Sequence, residues 1–134
     1  MSSKKEIIEI MVKEIFNNNN LDYYDILFTK DMESHMVLDE LDINNVENMK
    51  SMMDVLQNCF SNLMVKSEEI ISERDKAFAL FKFSGIHDKD KFMGMEPKGK
   101  KIEFESYNIF YFKKNQISFH RGITNVIHQL KMIE

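Results

Sequence analysis

The pattern that most constrains this chain is a change of hydrophobic period near residue 63. Upstream, Val46, Met49, Met53, Leu56, Phe60 and Leu63 recur at alternating steps of three and four, the spacing of one helical face. The stripe predicts a helix over residues 44–63, widened by Met52 and Cys59, with Asn44 or Asn45 as its cap and Glu47 near the positive end of its dipole. Downstream the period falls to that of a strand. Ala77, Ala79, Phe81, Phe83 and Gly85 alternate with Phe78, Leu80, Lys82 and Ser84. Ile102, Phe104, Ser106, Asn108, Phe110 and Phe112 alternate with Glu103, Glu105, Tyr107, Ile109 and Tyr111. Helices first and strands after indicate an α+β fold rather than a βαβ repeat.

Two shorter helices are expected ahead of the long one. Ile7, Ile8, Met11, Val12 and Ile15 share one side of residues 3–16, which Ser2 or Ser3 can cap and Asn17, Asn18, Asn19 and Asn20 end. Residues 21–28 form the second, with Asp22 as its cap. Residues 29–38, which hold His35, read as a loop entering a short strand or turn. Residues 64–73, 76–87, 102–112 and 116–126 read as strands, with Lys113, Lys114 and Asn115 as a tight turn. Residues 127–133 end the chain as strand or as a turn of helix. Antiparallel strands joined by short links make one strongly curved sheet. The long helix then packs across its concave face and leaves a pocket, a usual place for a small ligand.

Composition excludes several other classes. A chain of 134 residues is expected to be a single domain, residues 1–134, with one core. Four Gly and one Pro are too few for a turn-rich β sandwich. A net charge of −4 gives no global attraction to phosphate, so nucleic acid is not an expected partner. No segment approaches the roughly 20 apolar residues of a membrane span, and no secretory signal is expected from residues 1–6. The single Cys59 can form neither an intrachain disulfide nor a CxxC zinc site, which fits a reducing, cytoplasmic setting. Four His without HxH or HExxH spacing predict no metal site.

The segment from Phe83, Ser84, Gly85, Ile86 and His87 to Phe92, Gly94, Pro97, Gly99 and Lys100 resembles the SnoaL-like polyketide cyclase and ester cyclase family of the NTF2-like superfamily. There the pattern is G-T-H, a link ending in phenylalanine, then G-x-x-P-T-G-K and a strand. Asn115, Gln116, Ile117, Ser118, Phe119 and His120 resemble the family's G-K-I-x-E-H, and Gln129 and Leu130 its terminal Q-L. The resemblance implies an NTF2-like (cystatin-like) cone whose cavity handles small, mostly apolar carbonyl compounds without metal or organic cofactor. It also implies a homodimer through the outer sheet face, where Glu105, Tyr107 and Tyr111 are expected. A carboxylic acid soon after the E-H-W segment carries the family's intramolecular aldol closure. Here Arg121, Gly122, Ile123, Thr124 and Asn125 follow His120, and none is acidic.

With that acid missing, His120 and His35 are the candidate catalytic residues, since histidine works as acid or base near neutral pH. The alternative for His120 is a hydrogen-bonded sheet histidine. Asn108, Ser106, Phe110, Thr124 and Met53 are the candidate cavity residues. Met49, Met52, Met93 and Met95 either line an adaptable pocket or fill core. His87 leads into Asp88, Lys89 and Asp90 and is expected in an exposed loop, His128 on the surface, and Cys59 as an inert buried thiol. Three functions remain open: a cyclase or isomerase, a binding protein for an apolar ligand, and a scaffold that uses its sheet face.

Overall fold

The computed structural model describes residues 3–38 and 41–133. Helix α1 (Lys4–Ile10) starts at a capping box, in which the Ser3 hydroxyl accepts from the Glu6 N–H at 3.1 Å. It runs without a break into a π-helical turn, Met11–Asn17. Helix α2 (Tyr23–Leu27) leads into β1 (Phe28–Leu38) and β2 (Leu41–Ile43). Helix α3 (Val46–Cys59) is capped by the Asn45 side chain, which accepts from the Asn48 N–H at 2.8 Å. Strands β3 (Phe60–Glu73), β4 (Lys76–His87), β5 (Lys100–Lys113) and β6 (Gln116–Thr124) follow, and α4 (Val126–Met132) closes the chain. Of the two endings open to residues 127–133, the chain takes the helix.

The six strands form one sheet in the order β2-β1-β6-β5-β4-β3. Strands β3 to β6 make the expected antiparallel meander. Strand β1 corrects two expectations. Residues 29–38 are a full strand, not a loop, and it pairs parallel to β6, so the sheet is mixed. The alternation is visible once the pairing is known. Met32 and Ser34 are buried while Asp31, Glu33 and His35 are exposed. Its partner lies far along the chain, and no hairpin turn announces it.

The long helix stops four residues before the expected Leu63. Phe60 is already extended (φ −119°, ψ 140°), yet its ring continues the buried stripe against His87 and Phe92, with centroids 5.0 and 5.5 Å away. Asn62 has φ +54°, and the β3–β4 register shifts between Ser61 and Met64. This bulge turns the side chains so that Leu63 is also buried. A strand thereby mimics the end of a helical stripe.

The helices cover one face of the sheet. Ile8, Met11, Ile15 and Phe16 are buried there, and Phe16 meets Phe81 and Phe83 with centroids 5.5 and 5.6 Å away. Burial alternates along β4 and β5 as the sequence pattern predicts, and Phe83 stacks on its cross-strand partner Phe104 at 4.8 Å. Strand β3 ends the sheet on that side. The Asn17 amide pairs with both backbone groups of Val65, at 2.7 and 2.9 Å, and so occupies part of this edge.

Candidate functional site

Between α3 and the concave sheet face lies a cavity of about 90 Å³. Its walls are apolar: Phe81, Phe83, Phe104 and Phe110 from the sheet, Phe92 from the link before β5, Leu56 from α3. Five methionines join them, namely Met11, Met36, Met49, Met52 and Met53. Met36, Met49 and Met52 are half-buried, so they mark the side that approaches solvent. Met93 and Met95 do not line the cavity.

The floor is polar. Strand alternation brings Ser34, Ser106, Asn108 and His120 to the concave face, all at most 4% exposed. Register places Ser34 beside His120 across β1–β6, and Asn108 opposite Gly122 across β5–β6. The Ser34 hydroxyl lies 2.8 Å from His120 Nδ1, and His120 Nε2 lies 2.8 Å from Asn108 Oδ1. Asn108 Nδ2 donates to the Ala79 carbonyl at 3.2 Å and to Ser106 Oγ at 3.0 Å.

These contacts fix where the protons sit. The Ala79 carbonyl can only accept, so the Asn108 amide nitrogen faces it and Oδ1 faces the histidine. His120 Nε2 therefore carries the proton, and Nδ1 accepts from Ser34. Both ring nitrogens are spent. Phe110 stacks on the ring at 4.8 Å. Burial lowers the His120 pKa from 6.5 to about 4, so the imidazole is neutral near pH 7. Ser106 accepts from Asn108, and no described residue takes its own proton. Thr124 also lines the cavity, but its hydroxyl donates to the Glu105 carbonyl at 2.9 Å.

Gly122 makes the arrangement possible. A Cβ there would stand 2.6 Å from Met36 Sδ, 2.8 Å from Asn108 Oδ1 and 3.0 Å from His120 Nε2. Any side chain at this position would push the histidine–asparagine pair apart.

Of the residues singled out from the sequence, the structure brings His120, Asn108, Ser106, Phe110, Thr124 and Met53 to one cavity. His35 lies elsewhere. It is exposed on the opposite face, where its ring lies 5.8 Å from Phe119. His87 is buried rather than exposed, and its Nε2 donates to the Asp90 carbonyl at 2.7 Å, which pins the link after β4. Cys59 is buried, and burial pushes its thiol pKa up, as expected of an inert thiol. Sequence reasoning missed Ser34, Tyr24, Met11 and Met36. The period-two run Met32, Ser34, Met36 was the signal for two of them.

Among the described residues no three His, Cys, Asp or Glu side chains cluster as metal ligands, and no helix is long and apolar enough to cross a membrane.

The same architecture occurs in solved structures. IdmH from Streptomyces antibioticus is 18% identical over 98% of this chain and 99% of its own, with a TM-score of 0.83. TsrD from Streptomyces laurentii is 15% identical over 97% and 98%, with a TM-score of 0.79. A SnoaL-like polyketide cyclase from Agrobacterium tumefaciens is 13% identical over the full length of both chains, with a TM-score of 0.79. At these identities the likeness speaks for the fold. No curated protein sequence matches. The model of the family described as SnoaL-like polyketide cyclase matches residues 6–133, nearly the whole chain, and the protein belongs to that family.

Proposed function

We propose that the cavity takes up a small, largely apolar carbonyl compound and holds it with neutral hydrogen-bond donors. One observation carries this reading: an apolar cavity stands over a polar floor whose groups are bonded to one another, with the Ser106 proton left over. A carbonyl oxygen is the ligand atom such a floor can take. Apolar cavities on the order of 150 Å³ take up benzene, so single-ring compounds are the expected size. The methionine side chains, which rotate easily, supply the remaining room.

The test is binding of acetophenone and ethylbenzene, followed by NMR of isotope-labelled methionine methyl groups. Acetophenone should shift the methyls of Met11, Met36, Met49, Met52 and Met53 and leave those of Met93 and Met95. It should bind more tightly than ethylbenzene. Equal binding of the two would remove the polar floor from the account.

A second reading, cyclisation or isomerisation of such a compound, is favoured by the place of His120 on the cavity floor. His120 can act as a base only if Ser34 leaves Nδ1, and as an acid only if Asn108 releases the Nε2 proton. Turnover that vanishes in His120→Gln while binding persists would establish it.

In either reading the chain works as one domain without metal or organic cofactor, in a reducing, cytoplasmic setting that the buried free Cys59 suits. Dimerisation through the outer sheet face completes the proposal. Tyr107, Ile109 and Ile123 are exposed there, and such apolar area is usually covered. Sedimentation of the wild type as a dimer and of Ile123→Lys as a monomer would support it.

A further inference from the structure

We infer that Tyr24 supplies a second hydrogen-bond donor to the ligand, from the helical wall of the cavity. The inference rests on reading this cavity as a small-ligand site. Tyr24 sits on α2, which packs against β1 and α3, and it lines the cavity while only 2% exposed. Its ring is held by Phe28, with centroids 5.3 Å apart. No hydrogen bond among the described residues uses its hydroxyl. A buried phenol normally finds a partner, and this residue lines a chamber whose walls are mostly apolar. The Thr29 hydroxyl is buried without a partner among the described residues, but Thr29 does not line the cavity.

Burial pushes the Tyr24 pKa well above the usual phenol range, so the group stays a neutral donor at any physiological pH. With Ser106 on the floor and Tyr24 on the wall, the cavity presents two separate donors. The matching ligand carries two acceptor oxygens on an apolar frame, as in a dicarbonyl compound or a hydroxylated ketone. A ligand with one oxygen leaves one donor buried and unpaired, which lowers its affinity.

The probes are para-diacetylbenzene and, for shape alone, para-diethylbenzene. In Tyr24→Phe, affinity for para-diacetylbenzene should fall about fivefold, the effect of one lost neutral hydrogen bond, and affinity for para-diethylbenzene should not change. In the wild type with isotope-labelled tyrosine rings, para-diacetylbenzene should move the hydroxyl-bearing carbon of Tyr24 and leave Tyr23, Tyr107 and Tyr111. This measurement needs no variant. An equal effect of Tyr24→Phe on both probes, or an unmoved Tyr24 signal with the probe bound, overturns the inference. If acetophenone shifts the cavity methionines but para-diacetylbenzene does not, the Tyr24 inference falls and the reading of the cavity stands. If no carbonyl probe shifts them, both fall.

Discussion

The two faces of the β1–β6 pair differ in one respect above all. Inside, Ser34 and His120 are buried, uncharged and bonded to each other. One residue further on each strand, His35 and Arg121 are exposed beside Phe119 on the outside. The two histidines lie on neighbouring strands with the same backbone geometry. Strand alternation alone gives one a fixed tautomer and leaves the other in water. A histidine's place in sequence does not set its chemistry; its face does.

The contrast can be broken most severely at Asn108. Asn108→Leu keeps the volume but strands the His120 Nε2 proton and the Ala79 carbonyl, and should cost about 2–4 kcal/mol in chemical denaturation. Acid should act nearly as strongly. His120 titrates at about 4 in the fold against 6.5 ordinarily, so between these values the unfolded chain binds a proton that the native state refuses. Stability should therefore fall as pH drops through that window, by roughly 3 kcal/mol at most. His120→Gln should flatten this part of the profile, and His35→Gln should leave it. Gly122→Ala should cost about 1–3 kcal/mol through overpacking, more than Gly85→Ala, whose nearest neighbour stands 3.3 Å away. Ser34→Ala should cost about 1 kcal/mol, while His35→Ala should stay within about 0.5 kcal/mol.

The same contrast explains what the sequence made legible. Strands β4 and β5 could be read with their faces because large apolar residues recur every second position and short turns join the strands. Strand β6 carried His120, Gly122 and Thr124 in its alternation. Strand β1 could not be read in this way. Its inward residues, Met32, Ser34 and Met36, include a serine and are flanked by charges, and its partner is parallel and distant. Missing β1 hid the hydroxyl that donates to His120 Nδ1 and left His35 as a candidate beside it. The cavity size lay beyond the sequence for another reason. It depends on how five methionines pack, and a thioether chain fits many shapes. His87 was misjudged because the charged residues after it suggested solvent, whereas its ring turns back beneath Phe60.

The polar floor of the cavity depends on a neutral His120 whose proton sits on Nε2. Nitrogen-detected NMR of the imidazole across an acid titration measures this directly. The structure predicts that His120 keeps its Nε2 proton and stays uncharged down to about pH 4. A proton on Nδ1, or a charged ring near pH 6.5, the ordinary histidine value, would contradict it.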